Sequence, residues 1–206
     1  MTSDNTHRGA GAPEADWDAL AAGFDDEPDH GLRDPSVRAA WADRLRAWLP
    51  GHPADLLDLG CGTGSLSLLA VEQGHRVTGV DRSPAMVERA RAKLAGRPAE
   101  ILCGDASAPP VGERSFDAVL VRHVLWALPD PAGALGHWRG LLRPGGRFVL
   151  VEGVWGTHSP VGMAAGRLTA LLEPLTRRVR VEPLSAHAAL WGKEVDDERY
   201  AVVATV

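Results

Sequence analysis

From residue 55 onward, short apolar runs alternate with stretches of helical periodicity, the pattern of a parallel α/β sheet. Runs near 55–59, 76–80, 100–102, 116–121 and 147–152 predict five strands, and the stretches near 65–73, 84–95 and 131–142 predict helices between them. Right-handed crossovers then distribute the helices over both faces. Pro144-Gly145-Gly146 supplies the turn into the fifth strand. Beyond it the spacing changes: a helix is expected over about 161–173, a strand at Arg178–Glu182, a loop containing Trp191, and a strand at Tyr200–Val206. With no long crossover helix between them, the last two strands are expected to pair antiparallel and close the sheet.

The N-terminal part is different. Residues 1–14 are polar and aperiodic, a tail expected to be disordered. Trp17, Leu20, Ala21 and Phe24 then recur on one helical face, and an acidic loop runs from Asp25 to Gly31. Ser36 is placed to cap a second helix that carries Val37, Trp41, Leu45, Trp48 and Leu49 on one stripe, ended by Pro50-Gly51.

Composition narrows the function classes. The 206 residues suffice for one domain with a buried core, and 45% hydrophobic with 24% charged residues is ordinary for a globular chain. A formal net charge of -5 argues against a broad nucleic-acid surface, since phosphate binding needs clustered cations. No apolar run approaches the ~20 residues of a membrane span. Met1–Pro13 lacks the apolar core of a secretory signal, so the expected location is the cytoplasm. Cys61 and Cys103 are too few and too far apart for a zinc site, and no metal is expected. A monomer or a homodimer are both compatible with the sequence.

The strongest chemical signal is Asp58-Leu59-Gly60-Cys61-Gly62-Thr63-Gly64, between an apolar strand and a helix. Glycines there permit a tight turn and close backbone approach to a ligand, and the helix starting at Ser65 aims unpaired N–H groups at the same crevice. Asp81, at the tip of the second strand, is placed to accept bonds from ribose hydroxyls. Its competing role, capping the next helix, suits Ser83 better. Asp105, just past the third strand, is a candidate acceptor for the exocyclic amine of an adenine, with the Ala106 N–H meeting a ring nitrogen. Alone, Asp105 reads as a turn residue; in register with the other two elements it reads as a ligand contact.

From about residue 54 to 153 the chain resembles the class I S-adenosylmethionine (SAM)-dependent methyltransferases, and most of all their small-molecule group, which includes ubiquinone and menaquinone biosynthesis enzymes. The resemblance rests on DLGCGTG (58–64), VTGVDRSPAMVERAR (77–91), GDA (104–106), SFDAVLVRHVLWALPDP (115–131) and LLRPGGRFVLVE (141–152). It implies a Rossmann-like, mostly parallel seven-stranded α/β fold with an antiparallel last strand. It also implies lid helices over 15–53 and a SAM-binding domain over 54–206. Asp58, Gly60, Gly62, Gly64, Asp81, Arg82, Asp105, Ala106 and Arg122 are then the cofactor-binding set, with the Arg122 backbone carbonyl on the α-amino group. A nicotinamide-binding fingerprint fits less well, because the third glycine arrives one residue early, at Gly64.

The implied activity is methyl transfer to a small organic acceptor, in specialised metabolism. The alternative is a SAM-binding protein of the same fold that does not methylate, a cyclase or an accessory subunit. RNA or protein methylation is disfavoured by the acidic balance and by Arg122-His123-Val124-Leu125 after the fourth strand. His123, at the rim beyond that strand, is the first candidate for touching the acceptor, with ordering of its loop as the other reading. His30, with nearby Arg33, is the second, placed in the segment expected to fold over the cofactor and to meet the SAM carboxylate or the acceptor. His158 and Glu152 are candidates for the pocket lining, Trp126 and Trp155 for an apolar wall, and His137 for a structural role. Cys61 reads as a small packed side chain.

Overall fold

The computed structural model describes residues 16–156 and 160–206. The expected tail at 1–14 and the candidate His158 lie outside the described residues. Strands β1 (Asp55–Leu59), β2 (Arg76–Asp81), β3 (Ala99–Cys103), β4 (Phe116–Arg122), β5 (Leu142–Trp155), β6 (Val161–Gly162), β7 (Arg178–Pro183) and β8 (Glu198–Thr205) form one sheet. Its order is β3-β2-β1-β4-β5-β8-β7, with β6 paired to β5 off that path. β1 to β5 pair parallel, whereas β8 runs antiparallel to both β5 and β7. The order reverses between β1 and β4, which opens a crevice at the carboxyl ends of those strands.

Strand alternation explains the two-sided core. Leu56, Leu120, Val149 and Val151 enter one apolar cluster, while Leu57, Leu59, Val119, Val121, Phe148 and Leu150 enter the other. The first cluster is covered by α3 (Pro35–Trp48), α4 (Ser65–Glu72), α5 (Pro84–Lys93) and α8 (Ala188–Trp191); α6 (Pro131–Leu141) and α7 (Ala165–Leu172) cover the second. Two shorter helices, α1 (Trp17–Leu20) and α2 (Pro28–Gly31), precede them, separated by a 3-10 turn at Phe24–Asp26. Among the described residues no helix is long and apolar enough to cross a membrane.

Several local details depart from expectation. Asp34, not Ser36, caps α3: its Oδ1 accepts the N–H groups of Ser36 and Val37 at 2.8 and 3.0 Å. Pro35 occupies the first turn, which makes the residue before it the cap. The helix expected from 161 begins at Ala165, because Val161 and Gly162 pair with Trp155 and Val154 as β6. The loop around Trp191 contains the single helical turn α8, whose tryptophan is buried edge-on against Trp41 at 5.5 Å.

Candidate active site

The glycine loop leaves β1 with Gly60, Gly62 and Gly64 at φ of +68°, +54° and +80°. A Cβ at Gly60 would lie 2.2 Å from Val124 Cγ2, so both the conformation and the space require glycine. Gly64 itself is the N-cap of α4, leaving the helix's first N–H groups facing the crevice. The loop is tied to β2 by Gly60 and Cys61, which both donate to the Val80 carbonyl, and by Gly62, whose N–H donates to Asp81 Oδ2 at 2.8 Å.

Asp81 is buried at the tip of β2, and its other oxygen accepts the Ser83 N–H at 2.9 Å. Ser83 does cap α5, accepting the Met86 N–H on Oγ. Burial raises the Asp81 carboxyl above its ordinary value, the backbone N–H groups of Ser83 and Gly62 opposing it. Asp58, buried at the end of β1, accepts the Ser67 hydroxyl; desolvation pushes it up to about 6. Asp105 is exposed and accepts the Ser107 N–H on Oδ1 at 2.8 Å, while Ala106 is buried with its carbonyl held by Trp138 Nε1. Arg82 follows Asp81 between β2 and α5, its backbone carbonyl near Cys103 Sγ at 3.7 Å.

Beyond β4 the rim is aromatic. His123 adopts a left-handed φ of +58°, which turns its ring to stack on Trp191 at 6.3 Å and meet Trp155 edge-on at 4.8 Å. Its Nε2 is shielded and has no partner among the described residues. Burial, followed by the charges of Arg122, His30 and Arg199, holds the imidazole well below its ordinary range, so it is neutral at physiological pH. Trp126 meets Trp155 at 5.8 Å and is fixed by its own Nε1 donating to the His123 carbonyl. Glu152, 0% exposed on β5, accepts the N–H groups of Val124 and Leu125 on Oε1 at 3.0 and 2.7 Å. It thereby holds the loop that carries His123 and Trp126. Of the remaining candidates, His137 is exposed on α6 and Cys61 is half-buried in the glycine loop.

The segment before α3 lies across this crevice. Asp18 on α1 accepts the Ser83 hydroxyl and the Ala85 N–H at the start of α5. Phe24 sits over the glycine loop, with Cε1 3.3 Å from the Cβ position of Gly62, and stacks on His30 at 4.3 Å. Asp25 accepts the Thr63 hydroxyl and the Lys93 ammonium, and Lys93 also donates to Thr63 and Ser65. Asp29 on α2 receives Arg122 from the end of β4. Arg33 points elsewhere, to an exposed pair with Asp26.

None of these latches was deducible from the sequence, because the partners stand 38 to 93 positions apart. The available signal was the acidic run 25–29 together with Lys93, one of two lysines in the chain. Replacing Lys93 by Met deletes three hydrogen bonds from a half-buried ammonium. Amide exchange of residues 17–33 is expected to speed up roughly tenfold, from about 1.5 kcal/mol of lost closure. Unchanged protection by mass spectrometry would show that the latch contributes nothing.

The comparisons agree with this architecture. A family model described as "Methyltransferase domain" matches residues 57–150. The trans-aconitate 2-methyltransferase of Methylobacterium radiotolerans is 34% identical over 199 residues, covering 86% of this chain and 72% of the relative. The aklanonic acid methyltransferase DauC of Streptomyces sp. is 33% identical over 152 residues, covering 69% of each. Among solved structures, the N-methyltransferase NodS of Bradyrhizobium japonicum in complex with S-adenosylhomocysteine superposes with a TM-score of 0.69. It is 20% identical, with 93% of this chain and 99% of NodS covered. The chain spans only 35% of an uncharacterised 37.1 kDa transposon protein of Streptomyces fradiae, to which it is 43% identical.

The fold, with its glycine loop at the point where the strand order reverses, thus defines a Rossmann-like α/β enzyme. More narrowly, the chain belongs to the class I SAM-dependent methyltransferases, whose cofactor is S-adenosylmethionine.

Proposed function

We propose that this chain transfers the methyl group of SAM to a small organic acid of specialised metabolism, forming a methyl ester. The residues present fit the cofactor: a left-handed glycine cradle faces a buried carboxylate that already takes one N–H from that cradle. Asp81 would hold the ribose hydroxyls, Asp105 and Ala106 the adenine, and Asp58, the glycine backbone and the Arg122 carbonyl the amino-acid half. Bound SAM supplies an activated methyl group on a sulfonium, so the protein's task is alignment in a dry pocket.

The observation that carries the acceptor reading is His123, neutral and wedged between Trp155 and Trp191 with no partner for Nε2 among the described residues. In its Nε2–H tautomer it donates to an acceptor oxygen and orients it. A carboxylate needs no base, because the oxygen–methyl bond forms as the sulfur–methyl bond breaks, with no proton to remove. His30, stacked on Phe24 in the lid, closes the opposite side. Two relatives that cover more than two thirds of the chain are named for acids, trans-aconitate and aklanonic acid, which supports this acceptor class. We set the reaction in the cytoplasm, in keeping with the free thiols of Cys61 and Cys103.

The test is incubation with methyl-labelled SAM and a panel of aliphatic and polycyclic aromatic carboxylic acids, trans-aconitate included. Label transferred to an acid as a base-labile ester is the expected result. SAM binding without label transfer to any acid would contradict the reading and favour a non-methylating member of the fold.

A further inference from the structure

Arg122 forms the least satisfied of the buried ion pairs. Its side chain is 11% exposed, as is that of Asp29, yet the two share one contact, from a guanidinium nitrogen to Asp29 Oδ2 at 3.2 Å. Among the described residues this is the only hydrogen bond made by the Arg122 guanidinium, which has five N–H donors. Its remaining support is the face of Trp41, 4.8 Å from the guanidinium carbon. Other arginines here are better served. Arg199 grips Asp197 with two nitrogens at 2.7 and 3.2 Å, and Arg143 bridges Asp117 and Asp55 at 2.7 and 2.8 Å. Burying a charge is repaid only when its donors find acceptors, and a guanidinium matches a carboxylate best through two parallel bonds. The position completes the picture. Arg122 ends β4, next to β1 and the glycine loop, and is close enough to influence the Asp58 carboxyl. Its hydrogen-bond partner among the described residues rides on the four-residue α2 of the segment lying across the crevice.

We propose that the Arg122 guanidinium is the receptor for the carboxylate of the cofactor's amino-acid half, and that Asp29 is a stand-in carboxylate which that ligand displaces. This rests on the SAM reading above. Asp29 and the cofactor compete for one guanidinium, so lid and ligand are coupled through a single side chain. The adenosine half, which carries no carboxylate, is indifferent to Arg122.

Calorimetric titrations with S-adenosylhomocysteine and with 5′-methylthioadenosine, which lacks the amino-acid carboxylate, test this. Arg122→Met is expected to weaken S-adenosylhomocysteine by about tenfold or more and to leave 5′-methylthioadenosine unchanged. Asp29→Asn, which keeps the shape and removes the competing charge, is expected to tighten S-adenosylhomocysteine by at least about twofold. A purely structural ion pair would make both variants worse, and for both ligands alike. Equal losses for the two ligands, an unchanged S-adenosylhomocysteine affinity in Arg122→Met, or weaker binding in Asp29→Asn would each overturn the proposal. If the wild-type chain binds neither compound, the cofactor reading itself fails.

Discussion

Asp81→Ala is expected to weaken S-adenosylhomocysteine binding by about 100-fold. Two hydrogen bonds from ribose hydroxyls to a carboxylate are worth roughly 1.5 kcal/mol each at the lower end, and every 1.4 kcal/mol is a factor of ten. The variant also removes the acceptor for the Gly62 and Ser83 N–H groups, so the glycine loop loses one of its ties to β2. Asp81→Asn separates the two effects. It keeps an acceptor for Gly62, and its affinity should fall between that of the wild type and that of the alanine variant. Equal affinities for wild type and Asp81→Ala would remove Asp81 from the site.

The second large effect concerns stability. Glu152 has no exposed surface, and burial lifts its carboxyl from 4.5 to about 8, against the opposing bonds from the backbone of Leu125 and Val124. The folded protein therefore holds this proton more tightly than the unfolded chain. The stabilisation from that proton is fully present below pH 4.5 and is lost as pH rises towards 8, at up to about 1.4 kcal/mol per pH unit. Asp58 contributes with the same sign between 3.8 and about 6. Glu152→Gln keeps an oxygen for the two N–H groups and cannot ionise. Its unfolding free energy should be flatter with pH and exceed the wild type's by roughly 2 kcal/mol or more at pH 8. Glu152→Ala, by contrast, strands two buried N–H groups and should cost roughly 3 kcal/mol at any pH. Parallel denaturation curves for wild type and Glu152→Gln across pH 5 to 8 would refute the protonated carboxyl.

The contrast between these two residues shows what was legible beforehand. Asp81 could be read from the sequence because its role is local: strand, glycine loop and carboxylate fall within 27 consecutive residues, from Asp55 to Asp81. The core strands were legible for the same reason, since a two-residue period needs no distant partner. Glu152 was visible only as a possible pocket residue; its grip on the His123 loop depends on a β4–β5 pairing that no local pattern encodes. The same holds for the lid. The acidic character of 25–29 was plain, but its partners in the glycine loop, on α5 and on β4 are supplied by the fold. Strand β6 was missed because two residues have no period, and α8 because a single turn is too short to show one. The sequence places His123 at the rim; its left-handed backbone, which decides where the ring points, belongs to the structure alone.

Titration of the full chain with S-adenosylhomocysteine by isothermal calorimetry probes the central claim without needing to know the acceptor. A crevice built from the glycine loop, Asp81 and Asp105 should take up one molecule per chain. Absence of any saturable binding would leave a mixed, mostly parallel α/β sheet whose glycine loop serves only as a turn.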